Sequence, residues 1–372
     1  MTIRVGIIGC GGIANEHMNG YQACEDVKVT ACADLNLERA KQFAKKYGIP
    51  KVFGDYRKVL EQKQINAVSV CTPNCAHAEP AIAALNHGIH VLCEKPIAMN
   101  AGEAAKMLKA ARAGKALLTI GHHMRFIPCS QFLKNMINEG DLGNIYYGRS
   151  QALRRRGVPG WGQFHIKEKS GGGPLIDIGV HALDLILWLM GSPEPATVSG
   201  NVYTKFGNRP DFFSRWGDYK REDYDVEDFA CGYVKFTNGA ALSLEACWAA
   251  HLPEMDAFPQ LILGDKGGAL IAPHAPEPVR ISTTRGETLM NIIPADFPDV
   301  RPHTEEVKHW VACLRGEKEV LVKPEESLNV QRVIDAIYTS SESGHEVIIN
   351  QPLSAPSANK PGKKNATTGS RK

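Results

Sequence analysis

Residues 4–14, RVGIIGCGGIA, decide the fold of the first part of the chain. After Arg4, residues 5–8 form a continuous apolar run, which is typical of a parallel strand buried on both faces. The glycine-rich GCGGIA that follows matches the pattern GxGxxA at the start of a helix. In that pattern Gly9 permits the tight turn, Gly11 lets the backbone approach a pyrophosphate, and Ala14 lets the helix pack against the strand. We therefore predict a dinucleotide site with contacts from Gly9, Gly11, Gly12 and Ile13.

An acidic residue, Asp34, ends the next predicted strand 25 residues after Gly9. A carboxylate at this place accepts hydrogen bonds from the adenosine ribose and repels a 2′-phosphate, which favours NAD over NADP. The same residue is also explained as a loop acid or as a cap of the helix that begins near Asn36. The positive charge of Arg39, one helical turn further on, would weaken the preference for NAD.

The first 121 residues alternate short β-rich runs with helical patterns. Strands are predicted at 4–8, 27–33, 67–71, 89–93 and 117–121, and helices at 36–47, 55–62, 78–87 and 101–113. Such alternation with short links implies right-handed crossovers and a parallel sheet covered on both faces. Ligands bind at the carboxyl edge of such a sheet. The turn after the strand at 67–71 lies at that edge, and its candidate cofactor contacts are Thr72, Pro73, Asn74 and His77. The Pro-Asn pair is also explained as the start of a helix, and one turn can both start a helix and contact the cofactor.

The pattern changes after residue 121. A helix at 128–139, an alternating strand at 145–153 and a helix at 174–190 precede two strands at 229–236 and 240–248, and helices follow at 305–315 and 325–343. Those two strands flank Thr237-Asn238-Gly239, a strong hairpin signal, and 265–268 marks a further turn. We predict three segments: a Rossmann domain at 1–121, an α/β domain with an open, mostly antiparallel sheet at 122–350, and a disordered basic tail at 351–372.

Composition and charge exclude several classes of protein. Apolar residues make up 43% and charged residues 22% of the chain, close to globular averages. No apolar run approaches the roughly 18 residues of a membrane span, and the start lacks the pattern of a signal peptide, so we expect a cytoplasmic protein. Without the five basic residues of 351–372 the net charge of +3 becomes −2, which argues against a nucleic-acid partner. Ten cysteines without a CxxC motif predict buried free thiols and no metal site.

Four motifs in this order resemble the Gfo/Idh/MocA oxidoreductases: GIIGCGGIA at 6–14, CTPNCAH at 71–77, CEKPIA at 93–98 and GGGPLIDIGVHALD at 171–184. The likeness extends through VEDFACGYVKFTNGAALSLEACW at 226–248. The resemblance implies an amino-terminal NAD(P) domain, a carboxy-terminal α/β domain with an open sheet, and a substrate bound between them. It also implies that sheets pair between subunits, as a homodimer or a homotetramer.

The resemblance further implies a reaction centre of Lys95, Asp177 and His181, with Glu94 and Lys95 near the cofactor. The residue types agree with this role: Asp177 and His181 are four apart on a predicted helix and share one face. A lysine stabilises negative charge that develops on a substrate oxygen, and a histidine suits removal of the hydroxyl proton. Taken singly, a solvated lysine at a strand end and a satisfied core histidine explain the same residues.

A closer similarity, carried by GHHMRF at 121–126 and by residues 152–184, is to bacterial glucoside 3-dehydrogenases within the family. It implies oxidation of the C3 hydroxyl of a sugar or glucoside. An indole ring suits stacking on a pyranose, and histidine and arginine offer donors to hydroxyls. The candidate substrate contacts are therefore His123, Arg125, Arg154, Arg156 and Trp161, together with Asp177 and His181. A solvated arginine edge, a lid tryptophan, or a phosphate or nucleotide sugar as substrate would also explain this pattern.

Two other functions remain open from the sequence. A recycling enzyme would oxidise C3 transiently, eliminate, hydrolyse or epimerise the sugar, and then reduce it again on the same cofactor. A regulator that only senses NAD is the third hypothesis, and the joint presence of Lys95, Asp177 and His181 argues against it.

Overall fold

The computed structural model describes residues 2–349, so the predicted tail at 351–372 lies outside the described residues. Its first layer is a six-stranded parallel sheet in the order β3-β2-β1-β4-β5-β6. The strands are β1 (Ile3–Ile8), β2 (Val27–Ala33), β3 (Lys51–Phe53), β4 (Ala67–Val70), β5 (His90–Cys93) and β6 (Leu118–Ile120). The predicted doubly wound sheet is confirmed, and the strand order reverses between β1 and β4, where dinucleotides bind in such folds.

Five helices connect these strands: α1 (Gly12–Gln22), α2 (Leu37–Tyr47), α3 (Arg57–Leu60), α4 (Ala78–Asn86) and α5 (Ala101–Gly114). The amide side chain of Asn36 accepts a hydrogen bond from Arg39 N and so caps α2, and Gly48 ends that helix in the left-handed conformation. The sequence pattern did not indicate β3, because this edge strand has only three residues and no fully buried side chain.

The second sheet has ten strands and is antiparallel except where β7 pairs with β10. Its path runs β15-β14-β13-β12-β7-β10-β9-β8-β16, and the short β11 also pairs with β7. The predicted open, mostly antiparallel sheet is confirmed. Its strands are β7 (Ile145–Arg154), β8 (Pro195–Tyr203), β9 (Phe229–Phe236), β10 (Ala241–Cys247), β11 (Asp256–Ala257), β12 (Gln260–Gly264), β13 (Gly267–Ile271), β14 (Val279–Arg285), β15 (Thr288–Ile292) and β16 (Val347–Ile348).

The helices of this part pack against one face of the second sheet or return to the first. They are α6 (Pro128–Glu139), α7 (Lys167–Ser170), α8 (Val180–Leu189), α9 (Pro302–Leu314) and α10 (Pro324–Ser343), and one π-helical turn, Leu175–Gly179, leads directly into α8. One helical stretch, Lys167–Leu189, is long and apolar enough to cross a membrane, yet 94% of its most apolar window is buried inside the fold. The apolar part of this stretch, the π-helical turn and α8, lies in the hydrophobic core of the second sheet.

The first core includes side chains from far along the chain. Val307, Trp310 and Val311 of α9 are buried against residues of β1 and α1, such as Val5 and Met18. A boundary drawn at residue 121 therefore leaves out part of the core of the first sheet. Because α9 packs on α1, it also brings its first turn to the carboxyl edge of that sheet, beside the site described next.

Candidate active site

The glycine-rich turn lies between β1 and α1. Gly9 has a φ of +89°, and a Cβ added to it would lie 2.6 Å from the backbone of Cys71, so only glycine fits. Next to Gly11 and Gly12, by contrast, a Cβ would meet no atom within 4 Å. This open space lies at the amino terminus of α1, where backbone N–H groups and the helix dipole favour an anion. The turn therefore fits the pyrophosphate of a dinucleotide.

The carboxylate of Asp34 lies beside this turn, at the end of β2. It accepts a hydrogen bond from Cys10 N at 2.9 Å and one from Asn36 N at 2.8 Å. The guanidinium of Arg39 is 3.6 Å from the same carboxylate and lines the adjoining cavity. These contacts hold the carboxylate beside the place that an adenosine ribose occupies in this fold. Arg39 is close enough to offset part of the negative charge of Asp34.

The turn after β4 forms the facing wall of the cofactor cleft. The hydroxyl of Thr72 donates to Ala76 O at 2.7 Å, and the Asn74 amide donates to Ser170 O at 2.8 Å, which connects this turn to the second domain. The buried ring of His77 has its two nitrogens 2.7 Å from Pro96 O and 2.8 Å from Thr72 O. His77 thus supports the turn from behind and does not line the cavity, in contrast to the predicted direct cofactor contact.

The ammonium group of Lys95 joins the two domains at the predicted reaction centre. Its Nζ donates to Asp177 O at 3.0 Å and to Asp177 Oδ1 at 3.1 Å. The Lys95 side chain is 17% exposed and that of Asp177 is 9% exposed, so the ion pair is only slightly screened by water. Lys95 follows β5, whereas Asp177 lies in the π-helical turn before α8. The fold therefore places a cation and an acid from distant segments in direct contact.

Three histidine rings lie together beside this ion pair. The ring of His123 meets His181 edge to face at 4.9 Å between centroids and stacks on His303 at 4.0 Å. Burial and the positive charge of Lys95 lower the pKa of His181 well below its usual value. His181 is therefore neutral at pH 7. Its Nδ1 is buried without a hydrogen-bond partner in the described part of the chain, which leaves Nε2 to face the cavity.

Glu94 stabilises the strand end that carries Lys95. Its carboxylate accepts from Lys95 N at 3.2 Å and pairs with His17 Nε2 at 2.9 Å, and Nδ1 of His17 lies 3.0 Å from the hydroxyl of Ser69. Burial alone would raise the pKa of Glu94, but the hydrogen bond and charge of His17, with the charges of His303 and Lys95, lower it to about 2. A permanent negative charge thus lies beneath the reaction centre.

A second buried carboxylate, Glu227, holds the helix that carries the reaction centre. It accepts from Gly173 N at 2.8 Å, Leu175 N at 3.1 Å and the hydroxyl of Tyr338 at 2.9 Å. A Cβ added to Gly173 would lie 2.2 Å from Glu227 O, so the backbone must approach this closely. These bonds satisfy free N–H groups at the start of the segment that presents Asp177.

One cavity of about 1160 Å³ connects the cofactor cleft with the reaction centre. Asp177 and His181 both line it, although the π-helical turn interrupts the regular helix that the spacing argument assumed. Among residues 2–349 no group of three or more His, Cys, Asp or Glu side chains could hold a metal ion. The sequence-predicted residues that line the cavity are Ile13, Thr72, Pro73, Asn74, Glu94, Lys95, His123, Arg154, Trp161, Asp177 and His181.

Two arginines predicted to contact substrate do not reach this cavity. The guanidinium of Arg125 is buried, donates to Asp184 at 2.9 and 2.6 Å, and pairs with Glu326 at 2.5 Å. Its donors are consumed by these acids, so the predicted substrate contact is wrong. Arg156 donates to Arg155 O and Ala250 O, and its guanidinium packs over the rings of Phe206 and Phe212. It lines a separate small cavity, so the structure does not support its predicted substrate contact in the main cavity.

Sequence reasoning missed four residues of the site: His303, Trp216, Phe258 and Glu227. His303 is contributed by α9 from more than 170 residues beyond His123. Trp216 and Phe258 line the cavity from segments without a helical or alternating pattern. Glu227 lies in the stretch 226–248 that carries the family resemblance, but no sequence signal shows that its side chain reaches Gly173. A tryptophan in a polar loop, as at Trp216, was the one available hint.

The Rossmann sheet, the open glycine turn and the lysine–acid–histidine centre define an NAD-binding oxidoreductase. The chain belongs to the Gfo/Idh/MocA oxidoreductase family. Residues 3–122 match the model of its NAD-binding Rossmann-fold domain, and residues 134–349 match that of its C-terminal alpha/beta domain.

Individual relatives agree with this assignment. The D-glucoside 3-dehydrogenase of Escherichia coli (strain K12) is 35% identical over 346 residues, which cover 93% of this chain and 97% of that protein. The crystal structure of an oxidoreductase domain protein from Kribbella flavida matches with a TM-score of 0.84 and 27% identity, over 94% of this chain and all of that one. A levoglucosan dehydrogenase in complex with NADH shares the fold at a TM-score of 0.81 and 24% identity, over 95% and 100% of the two chains.

Proposed function

We propose that the protein oxidises a secondary hydroxyl of a glucoside, at C3 of the sugar, to a ketone with NAD. The observation that carries the proposal is the contact of Lys95 Nζ with Asp177 in the same cavity as a neutral His181. The similarity to a D-glucoside 3-dehydrogenase along almost the whole chain supports both the substrate class and the position.

The residues divide the chemistry among them. NAD, when bound, supplies the acceptor for the hydride that leaves the carbinol carbon. Nε2 of His181 takes the hydroxyl proton, because the lowered pKa keeps the imidazole unprotonated at pH 7 and its lone pair free. The ammonium of Lys95 donates a hydrogen bond to the oxygen as negative charge develops there. Asp177 holds Lys95 in place through its carboxylate and its carbonyl oxygen.

The cofactor would be held by the elements already described. The N–H groups at the start of α1 would bind the pyrophosphate, for which there is open space at Gly11 and Gly12, and Asp34 would accept from the ribose. The turn at Thr72–Asn74 and the side chain of Ile13, which line the same cavity as Lys95, would help to hold the cofactor.

A panel of free sugars, methyl glucosides and aryl glucosides, of both anomers, tests the proposal. Each is incubated with NAD and with NADP, the nicotinamide absorbance is followed, and NMR identifies the keto position in the product. We expect NADH to accumulate with glucosides and the ketone to appear at C3. Oxidation at another carbon would contradict the assigned position, and no oxidation of any sugar would contradict the function.

The same panel separates this function from that of a cofactor-recycling enzyme. A dehydrogenase accumulates free NADH in proportion to product. A recycling enzyme cleaves or epimerises the glycoside while its bound nicotinamide shows no net change. Measuring both the absorbance and the sugar products in one sample therefore distinguishes the two.

Two further expectations belong to this proposal. The face of the second sheet that α8 and α10 leave open carries partly exposed apolar side chains, among them Tyr233 at 45% and Leu270 at 37% exposure. We expect a second subunit to cover this face in a homodimer or homotetramer. A cytoplasmic location is supported by the cysteines, because all ten are free thiols and disulfides are rare in that compartment.

A further inference from the structure

The cavity extends beyond the reaction centre into a region that the oxidation itself does not use. We define this outer chamber by the five side chains of Arg154, Trp161, Trp216, Asp256 and Phe258. They come from the end of β7, from β11 and the residue that follows it, and from the two long loops that contain the tryptophans. A sugar ring placed over the reaction centre would leave this chamber for the rest of a larger substrate.

The guanidinium of Arg154 is the part of the outer chamber on which the charge of Asp177 acts. Its side chain is 13% exposed, and within residues 2–349 it makes no hydrogen bond. The nearest carboxylate oxygen, on Asp256, is 3.7 Å from Nε, which is too long for a hydrogen bond. Burial lowers the pKa of Arg154, and the negative charge of the nearby Asp177 offsets part of this effect. A buried guanidinium with free donors is costly, and oxygen atoms of a ligand would satisfy it.

Two indole rings are stacked on each other in the same chamber, and the free apolar face of the stack belongs to Trp161. Trp161 and Trp216 stack with their ring centroids 5.6 Å apart and their planes within 19°. The guanidinium of Arg154 lies 3.7 Å from the centroid of the Trp216 ring and so fixes the orientation of that indole. Trp161 is 53% exposed, which is a large apolar area for a loop side chain in a cavity wall. A flat ring with an apolar face would cover it.

The charges of the cavity favour an uncharged ligand. Near the reaction centre, the charge of Lys95 is paired with that of Asp177. Arg154 has no hydrogen-bonded partner in the described structure, but the carboxylate of Asp256, 3.7 Å away, offsets part of its charge. A phosphate site normally has an excess of positive charge and several donors. Arg156 does not line this cavity, and its guanidinium is held by two backbone carbonyls and packs on phenylalanine rings, so the triple arginine does not supply that excess.

We propose that the outer chamber is a subsite for the second ring of a neutral glycoside. The ring stacks on the free face of Trp161, which Trp216 supports from behind, and Arg154 donates to an oxygen at or near the glycosidic link. This inference rests on the proposed function, since the first ring must lie over Lys95 and His181. The second ring is either an aryl aglycone or another sugar, because both present a flat apolar face to indole.

The experiment compares kcat/KM for methyl glucosides, phenyl glucosides, glucosyl disaccharides and glucose 6-phosphate, with NAD as acceptor. The variants are Trp161→Ala and Trp216→Phe, which keeps an aromatic ring where truncation could disturb the fold. Phe213→Ala is the matched control, because Phe213 is also an exposed aromatic, at 61%, but does not line the cavity. Circular dichroism and NADH titration verify that every variant is folded and binds cofactor.

We expect the wild-type protein to prefer a two-ring glycoside over the matching methyl glucoside by about tenfold or more. Trp161→Ala should reduce this ratio severalfold, Trp216→Phe should reduce it less, and Phe213→Ala should leave it unchanged. The arm with the larger ratio identifies the second ring as aryl or sugar. Equal kcat/KM for methyl and two-ring glycosides, or a preference for glucose 6-phosphate, would overturn the subsite while leaving the proposed function intact. If no glucoside is oxidised, both proposals fail.

Discussion

Replacing Glu227 by alanine removes a buried acceptor that holds the start of the segment carrying Asp177. The carboxylate accepts three hydrogen bonds, two from backbone N–H groups and one from Tyr338, and its residue is only 5% exposed. A buried donor without a partner costs about 1–3 kcal/mol. Burial raises the pKa of Glu227, so the ionised carboxylate is itself costly, and the alanine variant is relieved of that cost. Three donors left without a partner at this cost, less the relieved cost of the buried charge, give a net loss in free energy of unfolding of about 3–5 kcal/mol.

The loss should also reach the chemistry. Misplacement of a reacting group by about 1 Å can lower a rate by about 10²-fold, so kcat should fall at least tenfold in Glu227→Ala while NADH still binds. Tyr338→Phe removes only one of the three bonds and should cost about 1.5 kcal/mol. Urea unfolding followed by circular dichroism measures the stability, and steady-state kinetics with a glucoside measures kcat. An alanine variant within about 0.5 kcal/mol of the wild type, or with unchanged kcat, would refute this account of Glu227.

Four other outcomes are expected. The protein should prefer NAD over NADP in kcat/KM, and Asp34→Ala should reduce that ratio; equal values in the wild type would show that the positive charge of Arg39 outweighs the carboxylate. His181→Ala should lower kcat by about 10²–10⁴-fold and Lys95→Ala by about 10²–10³-fold, with NADH affinity largely kept. Because burial and Lys95 lower the pKa of His181, the base is neutral above that value, and kcat/KM should decline only as the pH falls below 6.5; a decline already complete at pH 7 would contradict the assignment. Light scattering at micromolar concentration should give a dimer or a tetramer, which a monomer mass of 40.6 kDa would disprove, and Tyr233→Glu on the open sheet face should shift the mass toward it.

Local sequence signals determine much of the first domain. The turn at Gly9 needs a left-handed backbone and a close approach to Cys71, and both requirements are met only by glycine. Continuous apolar runs define five of the six parallel strands, because a strand buried on both faces has no polar side. Asp34 could be placed beside the turn for the same local reason: in a parallel sheet the ends of β1 and β2 meet at one edge.

Long-range packing decided the rest. The triple arginine at 154–156 is one motif in the sequence, yet only Arg154 lines the main cavity, since β7 ends at Arg154 and the guanidinium of Arg156 packs on phenylalanine rings. The guanidinium of Arg125 forms ion pairs with Asp184 and Glu326, and no pattern around residue 125 indicates those distant partners. His303 reaches the site only because α9 packs on α1. Residue types and spacing specify which groups are available for chemistry, whereas the tertiary structure decides which of them have free donors and face the same cavity.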